Sequence, residues 1–411
     1  MPWTETCPVD QRMRFVVEYC RGEESMAAMC RAFGISRRVG YKWLARYRLE
    51  GVDGLKDRSR APAMHPNAVA PEIEEAVLGV RRSHPSWGPK KLLAWLQRRQ
   101  PLRPWPAAST IGELLRRHGL TVPRKHRRRT PPQTEPFRDC DRPNRVWCID
   151  FKGWFRTGDG TRCDPLTITD AHSRYLLRCQ ALTDTTFPIV QGLVGATFRQ
   201  YGLPEAIRSD NGSPFASRGI GGFSRLSVWW LKLGIAPERI EPGQPQQNGR
   251  HERMHLTLKQ ETATPPARTI RGQQRKFDRF RGEFNGDRPH EALEMRTPSS
   301  LYEASPRRCP ARVGDPEYAE GLELRRVKPN GVFNWKNRRV FLGEAFGREL
   351  IGLERLDDRH WRVRFGGMPL AVFDEGTYRI LTPRQCRRVG FEASVRASSF
   401  RCAPGTRPDG D

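Results

Sequence analysis

The sequence predicts a multidomain α+β protein with helical modules first, a mixed α/β sheet in the middle and a small all-β domain near the end. Three observations predict it. Up to about residue 120, apolar residues recur at helical spacing between glycine turns. From Arg145, short apolar runs of strand type alternate with helical stretches. From residue 318, only short strands and turn signals remain. A chain of 411 residues is long enough for several domains.

The first module spans residues 1–60. Met13, Val16, Val17 and Cys20 fall at helical spacing, and so do Met26, Met29, Cys30 and Phe33. Gly34 permits a left-handed turn, and Ser36 is a good N-cap for a third helix. That helix carries Arg37, Arg38, Lys42 and Arg46 as candidate DNA contacts. A helix, a glycine turn and a basic helix form the helix-turn-helix arrangement, although a plain helical bundle would read the same way.

A second helical, helix-turn-helix-like module spans 66–125, with an apolar stripe at Ile73, Ala76, Val77 and Val80. Residues 126–142 read as a basic, proline-containing linker. Its Arg127, Arg128 and Arg129 are suited to lie on phosphates.

The next region, 143–305, opens with strands at Val146–Phe151, Leu166–Asp170 and Tyr175–Cys179. A helix over 187–201, a short strand at Ala206–Ser209, a helix over 223–233, an extended Ile235–Ile240 and a helix over 248–261 follow. Periodicity alone supports a mixed α/β sheet. A small β-barrel-like domain is expected at 316–385, and a disordered tail at 386–411.

Lys and Arg total 72 against 46 Asp and Glu, a formal charge of +26. That surplus points to a polyanionic partner, because neutralising phosphates releases condensed counterions. No apolar run is long enough to span a membrane, and no signal segment opens the chain, so a cytoplasmic location is expected. The ten cysteines form no C-x-x-C pair and no zinc-finger spacing, which argues against a structural zinc.

Three acids stand out. Asp150 sits inside an apolar strand, where a carboxylate is costly unless it faces a cleft or a cation. Asp210 ends a strand before Asn211-Gly212, and Glu252 lies near a helix start. Converging carboxylates repel unless metal neutralises them, and hard oxygen donors select Mg²⁺ or Mn²⁺. Taken singly, Asp210 is also an ordinary turn residue, and Glu252 an acid favoured by the helix dipole.

Four ordered segments carry a resemblance. They are Trp147-Cys148-Ile149-Asp150-Phe151-Lys152-Gly153, Ile207-Arg208-Ser209-Asp210-Asn211-Gly212-Ser213-Pro214-Phe215, Pro245-Gln246-Gln247-Asn248-Gly249-Arg250-His251-Glu252-Arg253, and Phe284 to Leu293 followed by Thr297-Pro298. Together they resemble the retroviral-integrase-like Asp-Asp-Glu transposases, and most closely those of bacterial insertion sequences. The resemblance covers about 145–305.

It implies a ribonuclease-H-like α/β catalytic core in which Asp150, Asp210 and Glu252 are catalytic and hold two Mg²⁺ or Mn²⁺ ions. The implied activity is cleavage at insertion-element ends and transfer of the freed 3′-hydroxyl into target DNA. The implied partners are double-stranded DNA, at the element ends and the target, and further copies of the chain in a dimer or larger assembly. A structure-selective nuclease or resolvase, or a non-catalytic DNA-binding regulator, would share much of this sequence.

Two departures stand out. Forty-one residues separate Asp210 from Glu252, more than in many relatives, and the extra length falls in Ala216–Ser227. The N-terminus also lacks the His/Cys zinc module of retroviral integrases.

Lys259 follows Glu252 by seven positions and shares its helical face, as a phosphate contact or a solvated lysine. Asn211 and Asn248 suit either DNA contact or turn formation. Asp170 is the best alternative metal acid, although the resemblance assigns its place to a hairpin. His251 and His255 flank the site and read as satisfied surface histidines. Arg288 and His290 fit DNA contact or core packing equally.

Overall fold

The computed structural model describes residues 7–59, 68–121, 140–240 and 249–391. Two compact units divide the chain, Met1–Val69 and Ala70–Asp411.

The first unit contains α1 (Pro8–Cys20), α2 (Met26–Ala32) and α3 (Arg37–Glu50). The side chains of Ser25 and Ser36 accept the backbone N–H groups of Ala28 and Val39, which fixes where α2 and α3 begin. Gly34 takes φ +66° in the turn between them. Phe15, Val16, Met26, Met29, Cys30, Trp43, Leu44 and Leu55 form the core.

Gly40 sits where α3 crosses that core. A Cβ there would lie 2.6 Å from Cys30 Sγ, 2.9 Å from Met26 Sδ and 3.0 Å from Phe15 Cζ. Gly40→Val is therefore expected to destabilise this unit by about 1–3 kcal/mol through overpacking. Faster amide hydrogen exchange across α3 would register the change, and unaltered protection would contradict it.

The second unit begins with three helices, α4 (Pro71–Ser83), α5 (Pro89–Arg99) and α6 (Ala108–Arg117). They bury Val77, Leu78, Trp87, Leu92, Leu96, Ile111, Leu114 and Leu115.

A six-stranded sheet follows, built from β1 (Val146–Phe151), β2 (Phe155–Arg156), β3 (Arg162–Asp170), β4 (Leu176–Leu182), β5 (Ala206–Ser209) and β6 (Ala236–Arg239). β1 pairs antiparallel with β3, and β3 pairs antiparallel with β4. On the other side β5 runs parallel to β1, and β6 parallel to β5. A three-stranded antiparallel meander continued by two parallel strands is the ribonuclease-H-like arrangement.

Strand alternation gives β1 two different faces. Trp147 and Ile149 join Leu166, Ile168 and Ile207 beneath α7 (Phe187–Tyr201) and α8 (Arg225–Lys232). On the opposite side lie α9 (Gly249–Thr262) and α10 (Ile270–Gly286), whose Met254, Leu258, Phe277, Phe280 and Phe284 pack on Cys163, Leu176 and Cys179. The sequence reading left α10 unassigned. Its apolar stripe is only a few phenylalanines among charged residues, but the Thr269 side chain caps it by accepting from Gly272.

The opening helices are bonded to this layer. Ser86 Oγ donates to Glu261 Oε1 at 2.6 Å, and Arg99 Nη2 meets Asp287 Oδ1 at 2.8 Å.

The last region contains β7 (Glu323–Arg326), β8 (Val332–Trp335), β9 (Arg338–Phe341), β10 (Leu350–Arg355), β11 (His360–Phe365), β12 (Met368–Asp374) and β13 (Arg379–Ile380). Five strands form an antiparallel sheet in the order β13-β12-β11-β10-β7, and β8-β9 forms a separate hairpin. Their shared core holds Phe333, Trp335, Phe346, Ile351, Leu353 and Phe373, and also Phe223 and Val228 from the segment before and within α8.

The tail expected from residue 386 is corrected at its start. A further helix, α11 (Pro383–Arg388), is capped by Thr382 and buries Cys386, an apolar thiol that the sheet covers. Residues 392–411 lie outside the described residues. Among the described residues no helix is long and apolar enough to cross a membrane.

Candidate active site

Asp150 lies one residue before the end of β1 and stands opposite Thr167 of β3. Opposite residues of an antiparallel pair share a sheet face. Cys148 stands opposite Thr169, so the Asp150 face of this ladder also carries both threonines. The acid is tolerated because this face is polar where α9 crosses it, while the other face carries Trp147 and Ile149.

Burial raises the Asp150 carboxyl, the Asp210 carboxylate adds to the rise, and Glu252 contributes further. The Phe151 N–H and the Lys152 charge oppose them, and the net result is about 7. Asp210 and Glu252 thus act on Asp150 through space. Asp210 sits just past β5, held by the Gly212 N–H at 3.1 Å, and burial raises it as well. Glu252 is exposed in the first turn of α9, and Lys259 is exposed near its end.

The histidines require a correction. His251 and His255 are 2 % and 5 % exposed and are not surface residues. Thr167 Oγ1 lies 2.7 Å from Nε2 of both rings, and Thr169 Oγ1 lies 2.9 Å from His251 Nδ1. Burial lowers His251 to about 3. Burial, then His251 and Lys152, lowers His255 to about 2, so both rings are neutral near pH 7. The signal was in the sequence. Histidines four apart share a helix face, and threonines two apart share a strand face.

Asp170 has a different role. It accepts the Asn144 N–H at 2.8 Å, the Ser173 N–H at 2.7 Å and the Ser173 hydroxyl at 2.6 Å, which ties the β3–β4 turn to the entry of β1. Asp170→Ala is expected to cost about 1.5–3 kcal/mol, the range for hydrogen bonds to a charged group, with divalent-ion affinity unchanged. Urea denaturation paired with a Mn²⁺ titration separates the two effects. A loss of ion binding in the folded variant would return Asp170 to the metal set.

Other neighbours are also placed. Asn211 Nδ2 donates to the Ile240 carbonyl at 2.8 Å and so braces its loop. Arg288 is buried and pairs with Glu261 at 2.8 Å. His290 packs against Phe284 and is lowered to about 3 by burial, then by Lys91 and Arg288.

Arg37, Arg38 and Lys42 are exposed on α3, and Arg46 is half-buried. The cations of Lys42 and Arg46 stand 4.6 Å and 5.1 Å from the Trp43 ring centre. Asn248, Arg127, Arg128 and Arg129 lie outside the described residues.

Comparison with known proteins agrees with this architecture. Residues 141–245 and 233–298 match two profiles described as integrase core domain. Residues 11–63 match a helix-turn-helix domain, and 39–115 a homeodomain-like domain. The chain is 28% identical over 199 residues to an uncharacterized 31.7 kDa protein of insertion element IS407 from Burkholderia multivorans, covering 46% of this chain and 67% of that protein.

Among solved structures, the HTLV-2 integrase catalytic core domain in complex with magnesium is similar at 14% identity and TM-score 0.32, over 39% of this chain and 98% of that one. The simian T-cell lymphotropic virus intasome in complex with PP2A regulatory subunit B56 gamma matches at 18% identity and TM-score 0.33, over 72% and 98%. Integrase-core matches over residues 141–298 thus follow helix-turn-helix matches in the chain, and the relative it resembles comes from a bacterial insertion element.

Proposed function

We propose that this chain cleaves DNA at the ends of its insertion element and joins the freed 3′-hydroxyl to target DNA, using Asp150, Asp210 and Glu252. The observation that carries the proposal is that Asp210, from the loop after β5, and Glu252, from α9, both raise the Asp150 carboxyl of β1 through space. Carboxylates that raise a neighbour's proton affinity, two of the three half-buried, fit a divalent cation, and their hard oxygens fit Mg²⁺ or Mn²⁺. Two such ions, when bound, activate an attacking oxygen and stabilise the leaving oxygen of a phosphodiester.

The chain's own residues supply the remainder. The three acids hold the site, and Lys259 meets a DNA phosphate along the exposed face of α9. Residues 1–60, with Arg37, Arg38, Lys42 and Arg46, read the element end, and the module at 66–125 extends that contact. The linker at 126–142, with Arg127, Arg128 and Arg129, follows the backbone, while 316–385 supports flanking DNA. Asn211 braces the loop after β5, and Asn211 and Asn248 contact DNA beside the acids. Two ends must be brought together, so a dimer or larger assembly forms on DNA.

The test uses labelled DNA carrying the inverted repeats that flank the coding sequence, with Mg²⁺ or Mn²⁺. Joined products are expected. Cleavage without joining would replace this reading with a nuclease. Binding with neither reaction would replace it with a regulator.

A further inference from the structure

The hydrogen bonds around Thr167 can be counted. Its hydroxyl has one proton, and it contacts the Asp150 carbonyl at 3.2 Å and the Nε2 atoms of His251 and His255 at 2.7 Å each. A carbonyl only accepts, so the hydroxyl donates there and accepts from both rings. Each imidazole then carries its hydrogen on Nε2. The bare Nδ1 of His251 accepts from the Thr169 hydroxyl at 2.9 Å. The bare Nδ1 of His255 faces Asp150 Oδ2 at 3.9 Å.

His255 Nδ1 and Asp150 Oδ2 thus face each other 3.9 Å apart. The separation is too long for a hydrogen bond. Two ligand bonds of about 2.1 Å reach across roughly 4.2 Å, so one ion can touch both atoms. Ligand-type atoms of His251, His255 and Asp150 all lie within 4.8 Å of one another, and with both His251 nitrogens taken up by Thr167 and Thr169, His255 is the ring that faces Asp150. On α9, Glu252 and His255 are three residues apart and therefore neighbours on the helix surface. Glu-x-x-His at this spacing is the ligand pair that helical metal sites use.

We propose that His255 Nδ1 is a fourth protein ligand at the metal position beside Asp150, giving an otherwise all-carboxylate site a nitrogen donor. Its inference rests on the reading of Asp150 as a metal acid. Imidazole is a softer donor than carboxylate, so it raises affinity for first-row transition ions relative to Mg²⁺. Thr167 and His251 act as positioning residues, holding the His255 tautomer and ring as outer partners do in metal sites.

The test is electron paramagnetic resonance of the full-length protein with Mn²⁺ alone. Wild type is expected to bind Mn²⁺ with a pulsed-resonance ¹⁴N coupling. His255→Gln keeps an amide N–H toward Thr167 and removes Nδ1. It should lose the coupling and bind Mn²⁺ at least about tenfold more weakly, with a smaller change for Mg²⁺. His251→Gln should keep the coupling. Mn²⁺ bound in an Asp150-dependent way without ¹⁴N coupling in wild type would overturn the proposal and leave the three-acid reading standing. A coupling that survives in His255→Gln would also overturn it. Mn²⁺ binding that is absent, or indifferent to Asp150→Asn, would overturn both. The wild-type spectrum decides even if a variant fails to fold.

Discussion

Asp150→Asn is expected to lower metal-dependent DNA cleavage by roughly a thousandfold or more, the rate equivalent of several kcal/mol of transition-state charge stabilisation. Asparagine keeps the shape of the side chain and removes the charge that holds a cation. Asp210→Asn and Glu252→Gln should behave alike, since each of these acids raises Asp150 through space and all three would share the ions. Cleavage rates on element-end DNA, with gel-shift binding as the control, measure the effect. Activity within tenfold of wild type, at normal binding, would remove the substituted acid from the catalytic set. A second readout is independent of turnover. In chelator near pH 7, Asp150→Asn should melt at a higher temperature than wild type, because it removes a half-buried carboxylate that burial, Asp210 and Glu252 all disfavour.

The second large effect is on stability. Arg208 and Glu238 are 6 % and 5 % exposed, and the guanidinium Nε and Nη2 lie 3.2 and 3.0 Å from Glu238 Oε2. Removing one member of a buried pair leaves the other charge poorly compensated, which typically costs 3–5 kcal/mol. Glu238→Ala is expected to destabilise the second unit by about that amount, lowering its melting temperature by on the order of 10 °C. Glu238→Gln, which keeps an acceptor, should lose less. Arg208 lies on β5 two residues before Asp210, so the folded fraction of Glu238→Ala should also cleave more slowly. Calorimetry checks the first expectation. A loss below about 1 kcal/mol would mean that Arg208 is compensated elsewhere.

The elements that position the acids were legible because they obey simple periods. β1 alternates Trp147, Ile149 and Phe151 against Cys148 and Asp150, and the helix at Phe187–Tyr201 repeats apolar residues at helical spacing. Less legible was α10, where four apolar residues spread over seventeen positions leave most of the surface charged. His251 and His255 were misread because their partners stand 82 to 88 positions away, and one sequence offers no direct signal of such pairing. Asp170 looked like a metal acid because strand ends hold both metal ligands and turn caps. Only its bonds to Asn144 and Ser173 separate the two uses.

Phe223 and Val228 have a consequence for how this protein can be shortened or recombined. Both belong to the core of the C-terminal β region, and Lys232 pairs with Glu349 of that region at 2.7 Å. The stretch between Asp210 and Glu252 therefore supplies part of the floor on which the later sheet rests. A stop codon before β7 would strip the cover from Phe223 and leave an adhesive apolar surface. Trimming residues 216–227 to a shorter spacing would open the β region from below. Residues 216–232 and the sheet are best regarded as one transferable cassette. A chimera that exchanges the C-terminal region should carry the loop with it in order to remain soluble.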